Sequence, residues 1–175
     1  MRFLAISGSA RRASTNTALL AAVAELARPA HEVTVFSRLA DLPVFSPDRE
    51  AEPLPARVQA FADLIRANDG VILSSPEYVR AIPGGLKNAI DWLVSRDEIV
   101  AKPIALLHAS HRGDDMLAQL RLVLSTVSQR FATDLFLRFA FMKLAPDDIA
   151  ERMARPENRA AVAAYLEGFA SYCRR

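Results

Sequence analysis

Gly8-Ser9-Ala10-Arg11-Arg12-Ala13-Ser14-Thr15-Asn16 packs hydroxyls, a carboxamide and two guanidinium groups between a short apolar run and a stretch of helical period. A helix that starts where such a segment ends offers unpaired backbone N–H groups and the positive end of its dipole, the makings of a phosphate cradle. Ser9, Ser14 and Asn16 carry donors for phosphate oxygens, Thr15 opens the helix beside them, and Arg11 can add a charge-assisted bond. Gly8 would let the backbone come close to a ligand. The Gly-x-Gly-x-x-Gly of a dinucleotide site and the Gly-Lys-Ser/Thr of a nucleoside triphosphatase are both missing, which leaves a terminal monophosphate as the better fit. The plainer alternative is that the Ser/Thr/Asn content only caps the helix.

A second concentration runs from Ser74 to Trp92. Pro76 turns the chain away from an apolar strand, and Glu77, Tyr78 and Val79 follow, a segment able to present backbone N–H groups and an aromatic ring to a flat heteroaromatic ligand. Lys87, Asn88 and Asp91 fall within the next helix, where capping and ion-pair support are their expected roles. Trp92 is expected in the core or at a subunit interface. A third loop, Ala109-Ser110-His111-Arg112-Gly113, offers Ser110, His111 and Gly113 as contacts, with His111 more readily read as an exposed loop histidine. No Ser/His/Asp set, metal-ligand spacing or catalytic cysteine stands out: His31 follows a proline and His108 ends a strand.

These loops need a frame, and the hydrophobic pattern supplies one. Phe3–Ile6, Val71–Leu73 and Pro103–His108 are continuously apolar or nearly so, as strands buried on both faces are. Glu32–Phe36 alternates polar with apolar, which places it near an edge, and Phe131–Leu137 is the fifth strand. Helical spacing marks Thr15 to Arg28, the set Val58, Phe61, Ala62 and Ile65, and the set Leu86, Ala89, Ile90 and Leu93 with Pro83 in its first turn. It recurs in Met116 to Val127 and in a closing helix marked by Val162, Tyr165, Leu166 and Phe169. The proline-rich stretch Leu42 to Pro55 reads as a structured linker within one domain spanning 1–175. Strands alternating with helices predict an α/β fold, a three-layer sandwich with a five-stranded parallel sheet in the order 2-1-3-4-5 and helices on both faces. Ligands of such sheets bind beyond the carboxyl ends of the strands at the switch point, so the three loops above are the ones that matter.

Composition narrows the function classes. The 22 basic and 20 acidic residues nearly balance, and the basic set is mostly scattered arginine, unlike a nucleic-acid footprint. The single cysteine, Cys173, excludes an internal disulfide and a multi-thiolate zinc site, and suits a reducing compartment. The first apolar run is too short for a signal peptide, and no stretch is long enough to span a membrane, so a soluble cytoplasmic protein is expected. A phosphoacceptor signalling domain of the same strand order needs acidic residues after the first strand and an aspartate after the third; Ser7-Gly8-Ser9 and Ser74-Ser75-Pro76 supply neither.

Two of the loops carry a resemblance. Gly-Ser-x-Arg-x-x-Ser-x-Asn after the first strand is similar to the phosphate loop of the NADPH-dependent FMN reductase family, a flavodoxin-like group. The run from Pro76 to Trp92 resembles that family's Pro-Glu-Tyr-Asn-x-x-x-Pro-Gly-x-Leu-Lys-Asn-Ala-Ile-Asp-Trp signature. The resemblance implies bound FMN, its phosphate held by Ser9, Arg11, Ser14, Thr15 and Asn16 and its ring beside Pro76, Glu77, Tyr78 and Val79. It implies that the loop with Ser110, His111 and Gly113 closes over the pyrimidine side. NADPH or NADH would be the electron donor and free flavin, a quinone, an azo compound or chromate the second acceptor, in a ping-pong cycle run by a homodimer or homotetramer.

The sequence departs from the family at Val79, where asparagine is usual and a side-chain hydrogen bond near the ring is lost. It also departs at Arg80, which would bind a nicotinamide phosphate, tune the flavin or sit in solvent, and at Gly113-Asp114, which replaces paired glycines. The missing acid–base set does not count against an enzyme of this kind, because the flavin itself carries the hydride. Two other readings remain: a flavodoxin-like electron carrier, against which the balanced charge and Arg11 argue, and a non-catalytic flavin-binding or regulatory protein.

Overall fold

The computed structural model describes every residue except Glu52. Strands β1 (Arg2–Ser7), β2 (Glu32–Phe36), β3 (Gly70–Ser74), β4 (Ile104–His108) and β5 (Phe131–Arg138) pair in parallel in the order β2-β1-β3-β4-β5. Between their end residues the three inner strands are apolar, because helices cover both their faces. Leu4, Ile6, Val71, Leu73, Ile104 and Leu106 point into one core, shared with helices α2 (Ala56–Ala67), α3 (Gly84–Asp91) and α5 (Asp114–Val127). Phe3, Ala5, Ile72, Ala105 and Leu107 point into the other, shared with α1 (Thr15–Leu26), α6 (Pro146–Met153) and α7 (Pro156–Cys173). The side-chain period of two along a strand divides each apolar run between the two layers. β2 and β5 lie at the edges and are only partly covered.

Several boundaries differ from the periodic reading. α1 ends at Leu26 rather than Arg28, and α5 starts at Asp114, ahead of its first buried residue, Met116. Pro83, with ψ 140°, stands just outside α3 rather than in its first turn. A four-residue α4 (Asp97–Val100) and the whole of α6 had no expectation at all. α6 buries only Ile149 and Met153, a stripe too short to show a period, although Pro146 at its start and Asp147 and Asp148 in its first turn were usable start signals.

The start of the proline-rich linker is structured, and Asn88 of α3 and Trp92 just after it pin Pro43 and Phe45. Asn88 accepts from the Phe45 N–H at 2.7 Å and donates to the Pro43 carbonyl at 3.0 Å, and the Trp92 indole N–H donates to the same carbonyl at 2.8 Å. Asn88 is therefore a loop clamp and not a cap, and Trp92 is buried in the core of this chain. Lys87 and Asp91 form the expected surface ion pair. Between β4 and β5 the register shifts, Ile104 facing Phe131 and Leu106 facing Phe136. Beyond β5 the chain keeps pairing through Phe139 N–H to His108 O at 2.8 Å and Phe141 N–H to Ala109 O at 3.1 Å, which carries Met142 to the carboxyl end of the sheet. Among the described residues no helix is long and apolar enough to cross a membrane.

Candidate functional site

The loop after β1 is built by its contacts with the loop after β3. The Gly8 N–H donates to Ser74 O at 2.7 Å, and a Cβ at Gly8 would lie 2.5 Å from the Ser75 hydroxyl. Glycine here permits a close approach between two loops. Ser9 is buried, its hydroxyl accepting from the Arg11 N–H at 3.2 Å, and Ser14 is the N-cap of α1, accepting from the Thr17 N–H at 3.3 Å. Asn16 accepts from the Ser74 hydroxyl at 2.8 Å through Oδ1, which leaves its amide donors for the cleft it lines. Arg11 and Arg12 stand exposed in the loop.

After β3, Tyr78 and Ala81 exchange both backbone bonds, at 3.1 and 3.0 Å, around a two-residue turn. Val79 and Arg80 at its tip have φ of 53° and 58°, the signature of a type I′ turn, for which Asn-Gly is the favoured pair. Val79 is 98% exposed. Valine is a strained choice for this backbone conformation, and its side chain is exposed. Arg80 is exposed but paired, its Nε 2.6 Å from Asp115; the pairing raises the guanidinium pKa and lowers that of the carboxyl. Glu77 accepts from the Met116 N–H of α5 at 3.0 Å.

The third loop folds around His108. This ring is 1% exposed, and its Nε2 lies 2.6 Å from Arg112 O, so Nε2 carries the proton and donates. Nδ1 is then an acceptor, buried with no partner. Burial, with help from Arg138, pulls the imidazole pKa below its ordinary value, against the backbones of Arg112 and Ser75 and the charge of Asp114, so the ring is neutral at neutral pH. Gly113 has φ 100°, and a Cβ there would sit 2.9 Å from His108 Nε2. Ser110 accepts from the Arg112 N–H at 3.0 Å, a local turn contact.

The loops enclose a cleft of about 330 Å³ beyond the carboxyl ends of β1, β3 and β4, within the size range of small-molecule sites. Of the residues picked from sequence, Thr15, Asn16, Pro76, Glu77, Ser110 and Gly113 line it together. Ser9, Arg11, Ser14, Tyr78, Val79 and His111 belong to the surrounding loops without lining it. Arg112, an arginine that could hold a small phosphate, also lines it, and sequence reasoning missed His108, Ala109 and Met142, which do too. A polar residue closing the otherwise apolar β4 was a signal for His108; Met142 had none, since only the irregular run past β5 brings it there.

Comparisons with known proteins place the chain among flavoenzymes of one family and fold. A quinone reductase of Escherichia coli K12 is 36% identical over 116 residues, 65% of this chain and 61% of that protein. An NAD(P)H-dependent FMN reductase of Pseudomonas aeruginosa is 36% identical over 112 residues, covering 63% of this chain and 60% of its own. The chain thus matches about three fifths of the length of these relatives. Among solved structures, the flavoenzyme NAD(P)H:(acceptor) oxidoreductase FerB of Paracoccus denitrificans shares the fold with a TM-score of 0.76 over 98% of both chains at 23% identity. The pattern of the NADPH-dependent FMN reductase family matches residues 1–136, from β1 into β5, and so takes in all three loops of the cleft. The chain therefore belongs to the NADPH-dependent FMN reductase family.

Proposed function

We propose that residues 1–175 act as one FMN-binding domain of a cytoplasmic NAD(P)H oxidoreductase. It takes reducing equivalents from NADPH or NADH and passes them in ping-pong order to a second small acceptor: free flavin, a quinone, an azo compound or chromate. The observation that carries this reading is the cleft at the β1/β3 switch point, walled by the loops that bear the family's motifs. Its residues suit the cofactor. On the β1 side the α1 N-terminus presents Thr15 and the amide donors of Asn16, with Arg11 on the adjoining loop for a phosphate. On the β4 side neutral His108 lines the wall together with Ser110, Arg112 and Gly113. FMN, when bound, supplies the hydride-accepting and hydride-donating chemistry.

The chain's own groups bind, orient and shield. The α1 N-terminus anchors a phosphate without a lysine, neutral His108 adds no charge to the wall, and Arg112 and Met142 line the cleft beside it. The names of the relatives support a quinone among the acceptors. The family resemblance supports work as a homodimer or homotetramer.

The test is an anaerobic absorbance spectrum of the purified chain before and after NADPH or NADH, followed by a quinone. Bound flavin that bleaches with nicotinamide alone and recovers with quinone, with parallel double-reciprocal plots, bears the proposal out. A chain that neither carries FMN nor oxidises nicotinamide when FMN and quinone are supplied overturns it. Bound FMN that nicotinamide fails to bleach would point to an electron carrier instead.

A further inference from the structure

Helix α5 has no capping side chain of its own. Its N-cap position is Gly113, and a serine or aspartate there is barred by φ 100° and by His108 Nε2, 2.9 Å from where the Cβ would lie. The Leu117 N–H is taken by Gly113 O at 2.9 Å, while the acceptor for the Met116 N–H comes from Glu77, 39 residues earlier on the loop after β3. The same loop is tied to α5 twice more, by Arg80 to Asp115 at 2.6 Å and by the Gln119 amide to Arg80 O at 2.9 Å, both in solvent. The Glu77 bond differs in being part-buried, in the wall of the cleft.

We propose that Glu77 is a positioning residue that caps α5 from across the cleft and thereby fixes the spacing of the loops after β3 and β4. Its carboxylate works on the helix end and not on the cofactor. A carboxylate is the natural group for the task, since it accepts a charge-assisted bond from a backbone N–H and sits at the positive end of the helix dipole. Without it the Met116 N–H loses its acceptor and the two walls lose their only part-buried polar tie among the described contacts between 77–80 and α5. The cleft would then have to be assembled at the cost of binding affinity, where now it is preformed.

Three variants of the full chain separate reach from charge: Glu77→Ala, Glu77→Asp and Glu77→Gln. The first readout is amide hydrogen exchange at Met116 in cofactor-free protein, and the second is the FMN dissociation constant by fluorescence titration. Alanine, which has no acceptor, and aspartate, which is charged but a methylene short, are expected to speed Met116 exchange. Both are expected to weaken FMN about tenfold, the factor that corresponds to about 1.4 kcal/mol. Glutamine keeps an oxygen at the right reach and is expected to stay within about threefold of the parent chain.

Unchanged Met116 exchange in Glu77→Ala overturns the proposal. So does an FMN affinity that falls with glutamine and survives with aspartate, the pattern of a carboxylate touching the cofactor. The inference uses the FMN reading only in its second readout, so exchange in the cofactor-free chain decides it even if no form binds FMN.

Discussion

Replacing Val79 by asparagine should stabilise this protein, although it removes an apolar side chain. Val79 has φ 53° at the tip of the turn after β3 and is 98% exposed, so it contributes no burial to either core. An L-residue in the left-handed region costs about 1–2 kcal/mol, and a β-branched one is a genuine outlier there. Asparagine tolerates this conformation and is favoured at the first position of a type I′ turn. The flanking bonds between Tyr78 and Ala81, and the straps from Asp115 and Gln119 to Arg80, hold the turn in place whatever residue sits at its tip.

Val79→Asn should therefore recover about 1 kcal/mol. For a chain of this length that is a rise in Tm of about 2–4 °C. Urea unfolding of the cofactor-free protein should show a higher midpoint at unchanged m, because the surface buried is the same. Val79→Ala, which keeps a Cβ but loses the branch, should give a smaller gain. An unchanged or lower midpoint for Val79→Asn would refute the reasoning.

Gly113→Ala is expected to lose about 2 kcal/mol or more, from positive φ and from the clash with His108, and to weaken FMN binding; thermal melts and FMN titration check both. Because the folded chain holds His108 below its ordinary pKa of 6.5, an unfolded chain takes up a proton there that the folded one refuses. The stability this contributes is present above that pH and is lost as pH falls toward the folded value. His108→Gln should accordingly flatten the decline of stability below pH 6.5, and an identical slope in parent and variant would remove His108 as its source. The Tyr165 hydroxyl is buried without a partner, and burial pushes its pKa upward. Tyr165→Phe should raise stability by about 1 kcal/mol, read from the same urea curves, and a loss would mean that the hydroxyl has a partner.

Much of the frame was legible because burial on both faces leaves a local trace. The apolar runs at Phe3–Ile6 and Val71–Leu73, the alternation of Glu32–Phe36 and the periods of α2, α5 and α7 depend only on residues close along the chain. Short α6 was not legible, since Ile149 and Met153 alone show no period. At the site, the positions of the three loops were readable and the roles of several residues were not. That Ser14 caps α1 was one of the two readings the sequence offered, whereas Gly8 making room for Ser75 and Glu77 serving α5 left no sequence signal.

Residue type and spacing determined by themselves the five strands and the longer helices, though not α4 or α6, as well as which strands lie inside and which loops gather at the switch point. Hydrophobic burial and capping act over a few residues, so they are written in order along the chain. Which side chains face one another across the cleft was decided only when the sheet closed. His108 meeting the Gly113 turn, Glu77 reaching Met116 and Met142 arriving at the mouth depend on the twist, register and loop geometry of separate strands. No period or motif encodes such distances, because each is a sum over the whole path between the residues it joins.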